Sequence, residues 1–186
     1  MENSKKNISF NYIWQRYGTV GILIGLLAIL AILKPGSILD PKSISQILTQ
    51  SSVNILLAVG EFFAILIAGI DLSVGSVAAL TGMIVAKLMV NGTSPSVAIL
   101  VGIFTGAFIG FINGILVNKT KLHPFIITLG TQSIFRGLTL IISKARSVFG
   151  FPVSFTKGIS NKILVIPVPV IIALVVALLL AYFTTR

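Results

Sequence analysis

An all-α, polytopic membrane helix bundle is the fold class this sequence predicts, and three observations predict it. The chain of 186 residues is 55% hydrophobic and only 10% charged, with a mean hydropathy of +1.06. A soluble domain carries about 25% charged residues. This composition would leave a soluble surface apolar almost everywhere, so the bilayer is the natural solvent. The apolar residues gather into six long runs. Turn residues and basic residues gather between those runs. Backbone amides in lipid must be satisfied internally, so each run is predicted to be a helix and about six helices to cross.

The first run is Gly18–Leu33. Its 16 residues rise about 24 Å, short for a core of about 30 Å. Trp14 and Tyr17 seat its start at the interface. A basic start with Lys5, Lys6 and Arg16 precedes it, and Lys34-Pro35-Gly36 follows instead of a small-residue cleavage site. This pattern reads as a retained signal anchor. The second run is Val53–Ile70, the third Leu72–Val90, the fourth Ser96–Val117, the fifth Pro124–Ser143 and the sixth Ile163–Phe183. Pro35-Gly36, Asp40-Pro41, Asn91-Gly92 and Ser94-Pro95 break the chain between them. Pro124 stands where a helix's first turn tolerates a missing N–H. Pro167 and Pro169 fall inside the sixth run and predict a kink there. The segment from Lys144 to Lys162 is the longest connector, with four positive charges, and reads as a stretch lying along the membrane surface. The whole chain reads as one membrane domain, with residues 1–17 as an N-terminal segment.

Six crossings with the N-terminus inside leave six cations within and seven outside, so the positive-inside rule does not decide orientation overall. The first helix favours a cytoplasmic N-terminus. The net charge of +10 is scattered between apolar runs rather than arrayed as a stripe, which excludes a nucleic-acid groove. With no cysteine and the single histidine His123, disulfides, thiolate chemistry and a His-built metal site are excluded. No phosphate loop of the form Gly-x-x-x-x-Gly-Lys-Ser/Thr and no Ser/His/Asp set occurs, so catalysis by this chain is not expected.

Two of the four carboxylates, Glu61 and Asp71, stand inside or beside apolar runs. Insertion scales put a carboxylate at the bilayer centre at about 2.5–3.5 kcal/mol, so such groups face protein or a path through it. Glu61 lies midway along the second run, and Arg136 lies within the fifth. The two either pair across the bundle, each offsetting the other's desolvation, or stand separately at water. Gly69-Ile70-Asp71-Leu72-Ser73-Val74-Gly75 interrupts two apolar runs with almost no loop. Asp71 is placed to cap the third helix by accepting from the N–H of Ser73 or Val74. The segment is either a tight surface turn or a helix broken at membrane depth, where irregular backbone must be buried in protein or line a cavity. Gly102, Gly106, Gly110 and Gly114 recur every four residues, a stripe that predicts close packing of a neighbouring helix. Gly18, Gly21 and Gly25 form a lesser version. Asn113 is read as a hydrogen bond across helices, and His123 before Pro124 as structural.

The run from Gln50 to Leu66, the string Gly69-Ile70-Asp71-Leu72-Ser73-Val74-Gly75, the stretch Leu122-His123-Pro124-Phe125-Ile126-Ile127-Thr128-Leu129-Gly130-Thr131 and the triplet Phe135-Arg136-Gly137 resemble the inner-membrane permease of ribose- and allose-type sugar ABC importers. The resemblance covers nearly the whole chain. It implies a permease dimer, two cytoplasmic ATP-binding subunits that carry ATP and magnesium, a sugar-binding protein outside, and no cofactor in this chain. It implies a bacterial plasma-membrane location with a cytoplasmic N-terminus, and a fold of two inverted halves with the path between two permeases. It also moves the Asp71 segment toward a functional break. Family members are considerably longer. The resemblance therefore implies the N-terminal part of a permease, without the segment that docks on the ATPase and with no transport by this chain alone.

Candidate path residues, by polarity at depth, are Glu61, Asp71, Ser73, Thr128 and Arg136. Two other readings stay open at this point. One is an ion- or proton-coupled secondary carrier with Glu61 or Asp71 as the titrating group. The other is a membrane scaffold that transports nothing.

Overall fold

The computed structural model describes residues 10–34, 36, 40–163 and 166–184. Lys5, Lys6 and Arg186, which entered the charge count above, lie outside the described residues. The chain divides into two compact units, one up to Leu48 and one from Thr49 onward.

In the first unit, α1 spans Phe10–Leu33. At 24 residues it is about 36 Å long, enough to cross a bilayer. Nearly all its described side chains are exposed, Trp14 and Tyr17 among them. The Arg16 guanidinium stands 5.9 Å from the centre of the Tyr17 ring. Gly21 and Gly25 have no atom within 4 Å of where a Cβ would stand. Helix α2, Pro41–Leu66, begins in this unit and ends in the next. It starts twelve residues before the apolar run does, because Pro41 fits a first helical position. The Ile44 N–H then donates to the Asp40 carbonyl at 3.1 Å.

The second unit holds the rest of α2, then α3 (Val74–Val90), α4 (Pro95–Thr120), α5 (Pro124–Ser143), α6 (Val153–Ser160), strands β1 (Lys162–Ile163) and β2 (Ile166–Pro167), and α7 (Val168–Thr184). Each of the six apolar runs holds a helix, as expected. Four helices have the length and composition to cross a membrane, while α3 and α7 have 17 residues each, the lower end of span length. Helix α3 is the centre of the unit and packs against both α4 and α5. The core between them is Leu80, Ile109 and Phe135, flanked by Val77 and Ile84. Outward faces are apolar: Ile103, Phe104, Phe108 and Phe111 on α4 are all well exposed. That pattern suits a lipid solvent and not water.

Helix ends follow local chemistry. Asn91-Gly92 closes α3, with Gly92 left-handed at φ +94° and the Thr93 N–H reaching back to the Leu88 carbonyl at 2.9 Å. His123 caps α5 by accepting from the Phe125 N–H through Nδ1 at 3.3 Å. One expectation is overturned at the sixth run. Its helix starts at Val168, after a two-stranded antiparallel hairpin, so Pro167 precedes the helix and Pro169 lies in its first turn. The first turn has no partner for its N–H groups, so neither proline breaks a helical hydrogen bond or produces a kink. The long connector holds α6 and β1.

Candidate functional site

The break between α2 and α3 is built from the end of α2 outward. The Ala68 N–H donates to the Ile65 carbonyl and the Gly69 N–H to the Ala64 carbonyl, both at 2.9 Å. This is a Schellman closure, and Ala68 holds its left-handed position at φ +57°. Gly69 follows where space is short: a Cβ there would stand 3.2 Å from the Ala64 carbonyl oxygen and 3.5 Å from the Pro124 ring. The tight neighbour of residue 69 is thus the Ala64 carbonyl of its own helix end, Pro124 of α5 stands at ordinary contact distance, and the positive φ falls to Ala68.

The N–H groups of Asp71, Leu72 and Ser73 have no helical partners, and side chains of α2, of α5 and of the break itself supply them. Glu61 of α2 accepts from the Asp71 N–H at 3.1 Å through Oε1. Thr128 of α5 accepts from the Leu72 N–H at 3.1 Å, and its hydroxyl lies 3.2 Å from the Ile70 carbonyl. Asp71 Oδ1 accepts from the Ser73 N–H at 2.8 Å and from the Ser73 hydroxyl at 2.6 Å. Asn113 of α4 donates through Nδ2 to Ser73 Oγ at 2.8 Å. Ser73, Asn113 and Thr128 are all buried. The segment is therefore not a free surface turn. It is a turn braced by neighbouring helices, with Ser73 buried, Asp71 and Leu72 half-buried and Ile70 exposed.

Of the residues expected at a path, the structure brings Glu61, Asp71, Ser73 and Thr128 into one hydrogen-bonded cluster. Asp71 uses the Ser73 N–H, one of the two donors expected. Arg136 is not brought to them. It is exposed, eight residues further along α5, and lines a separate recess of about 380 Å³ with Gly75, Ser76 and Gln132. No ion pair joins it to Glu61. The carboxylate binds a backbone N–H instead, and Arg136 stands exposed at its recess. The pairing expectation is set aside. Asn113 does bond across helices as expected, and its partner is the break itself.

The glycine row on α4 divides in two. A Cβ on Gly102 would overlap Val85 Cγ2 of α3, and one on Gly106 would sit 3.6 Å from Thr81 Cγ2. Those two glycines admit α3 closely. Gly110 and Gly114 have no such neighbour and instead line a cavity of about 380 Å³ beside the break. Ala64, Gly69, Ile70, Asp71, Asn113, Asn118, Pro124 and Thr128 share that lining. Asn118 was missed by sequence reasoning; it stands at the basic end of α4, where it reads as ordinary connector polarity. Among the described residues no cluster of three or more His, Cys, Asp or Glu side chains could hold a metal ion.

A set of long apolar helices around a stapled polar break defines a polytopic membrane protein. Comparison with known proteins names the class. Residues 43–186 match the family model described as branched-chain amino acid transport system / permease component, and the chain belongs to that family. It is 52% identical over 185 residues to the D-allose transport system permease protein AlsC of Escherichia coli K12, covering 99% of this chain and 57% of that one. It is 38% identical to the ribose import permease protein RbsC of Bacillus subtilis 168, over 92% of this chain and 53% of that protein. The autoinducer 2 import system permease protein LsrC of Photorhabdus laumondii is 33% identical over 70% of this chain and 40% of its own length. The chain spans about half the length of the curated relatives it matches. No solved structure matches it.

Proposed function

We propose that this chain is the membrane-spanning permease component of an ATP-driven importer of small sugars of the allose or ribose kind, contributing part of the solute path. The observation that carries the reading is the 52% identity that runs through 99% of this chain to a D-allose permease. The stapled break supports it, because a membrane protein has reason to hold irregular polar backbone between helices where a solute must pass. Glu61, Asp71, Ser73 and Thr128 belong to that path, and Arg136 serves from its separate recess.

The partners of this reading are ATP-binding subunits, an extracytoplasmic sugar-binding protein and a second permease copy. ATP and magnesium belong to the ATP-binding subunits, and this chain takes no cofactor. Orientation follows from the turns. The break meets the α4–α5 turn, since Gly69 abuts Pro124 and Leu72 bonds Thr128. That turn carries Lys119 and Lys121. Counted with one crossing each for α1 and α2, the break falls on the same side as the cations before α1, and those cations with Lys119 and Lys121 favour a cytoplasmic side there.

The test is sugar uptake into proteoliposomes that hold the chain with its neighbouring ATP-binding and sugar-binding proteins. Uptake of D-allose or D-ribose that requires ATP supports the proposal. Uptake that persists without the ATPase and collapses with the proton gradient replaces it by a secondary carrier. Co-purification of the subunits with no uptake replaces it by a scaffold.

A further inference from the structure

We infer that the cavity beside the break is a low-affinity subsite for one polyhydroxylated solute molecule, with Asp71, Asn113 and Asn118 as its polar contacts. The inference deepens the importer reading and rests on it for the solute class.

Three observations carry it. The first is space. The cavity holds about 380 Å³, within the about 300–1,000 Å³ of small-molecule sites, and its lining is mainly apolar with a few convergent polar groups. A pyranose presents apolar C–H faces and a rim of hydroxyls, which matches that lining. The second is unused hydrogen-bonding capacity. Asp71 spends Oδ1 on Ser73, while Oδ2 has no hydrogen-bond partner among the described residues. Asn113 is 5% exposed, donates through Nδ2 to Ser73, and leaves Oδ1 without a partner. The Asn118 side chain makes no hydrogen bond among the described residues and stands exposed at the cavity. A buried amide oxygen without a partner costs about 1–3 kcal/mol, and because Asn113 lines this cavity, a turn of its amide toward the space would offer that oxygen to a ligand hydroxyl. The third is the missing Cβ atoms. Gly110 and Gly114 face this space with nothing within 4 Å, although the same row packs tightly one and two turns away. Room is kept on this stretch of α4 and given up on the other.

The chemistry favours hydroxyl donors over a bare cation. The acceptors here are one carboxylate oxygen and amide oxygens on a wide groove, not the small closed cage that an ion needs. Low affinity follows from the same geometry, since the cavity is open and three polar contacts hold few hydroxyls. A path that must release its solute requires that weakness.

The chain's lack of cysteine permits a direct test. Asn118→Cys and Gly114→Cys are introduced singly in the chain reconstituted in liposomes, and the rate of modification by a small charged thiosulfonate is measured. Asn118→Cys removes no side-chain hydrogen bond found among the described residues, and Gly114→Cys places its Cβ where no atom lies within 4 Å. The expected result is that both cysteines react, and that D-allose or D-ribose in the millimolar range slows both reactions. A sugar at its Kd slows them about twofold. Cyclohexanol at the same concentration leaves the rates unchanged. Failure of the charged reagent to react overturns the inference, because lipid or another helix then fills the groove. Equal protection by cyclohexanol, protection by salt alone, or no protection by sugar overturns it as well. ATP-dependent uptake with unprotected cysteines removes the subsite and leaves the importer standing. Protected cysteines without ATP-dependent uptake keep the subsite and remove the importer.

Discussion

The two halves of the α4 glycine row obey different constraints. Gly102 and Gly106 lie against α3, where Val85 and Thr81 occupy the space a methyl group would need or touch. Gly110 and Gly114 lie one and two turns further on and touch nothing. A four-residue spacing of small residues shows that one helix face is flat. It does not show whether a helix or a void faces it. The neighbour decides: α3 runs alongside the first half of the row, and the irregular Asp71 segment replaces it beside the second.

The sharpest way to break this contrast is Gly102→Ala. Val85 is β-branched and stiff, so the overlap with its Cγ2 forces a backbone shift. The expected loss is toward the top of the about 1–3 kcal/mol range of overpacking, read by denaturant unfolding in detergent micelles. Adding Val85→Ala restores most of it. A Gly102→Ala chain as stable as the parent would show that α3 and α4 do not pack as described.

Next in size is Thr128→Val, which tests the break. It preserves shape and removes the hydroxyl that accepts from the Leu72 N–H. The expected loss is about 1–2 kcal/mol, together with faster amide hydrogen exchange at Leu72. Exchange at Leu72 that does not change would mean that Thr128 is not its partner.

A smaller effect is expected for Asn113→Ala. Interhelical side-chain hydrogen bonds in membranes average about 0.6 kcal/mol, because the alternative state also finds partners. Here the loss is smaller still, since the substitution also removes the unpartnered Oδ1. A double-mutant cycle with Ser73→Ala isolates the Asn113–Ser73 bond. A coupling energy indistinguishable from zero would detach α4 from the break.

Much of this was legible in the sequence, and the rest was not for identifiable reasons. Six apolar runs gave six helices because lipid leaves the backbone no other way to satisfy its amides. The Asp71–Ser73 cap was legible because it is local, a carboxylate two residues before the N–H it accepts. The partner of Glu61 was not. A carboxylate in an apolar run invites a search for an opposite charge, and Arg136 was the charge available. The actual partner is the Asp71 main-chain N–H, and every residue has one, so no residue type marks it. The missing kink at Pro167 and Pro169 has a similar origin. Hydropathy begins the sixth run at Ile163, whereas the helix begins at Val168, and those five residues move both prolines out of the helix interior.

The smallest effect is the most discriminating between the two halves of the row. Gly106→Ala and Gly110→Ala make the same chemical change one turn apart. At Gly106 the new methyl meets Thr81 at ordinary contact distance, and at Gly110 it meets no protein atom. Both gain helix propensity, about 1 kcal/mol in water. Neither is expected to lose stability, so unfolding alone will not separate them. Their effect on the cavity does. Gly110→Ala places a methyl in the lining and is expected to slow modification of Asn118→Cys, while Gly106→Ala leaves that rate unchanged. Equal rates in both variants would mean that Gly110 does not line the space Asn118 faces, and the division of the row into a packed half and an open half would fail.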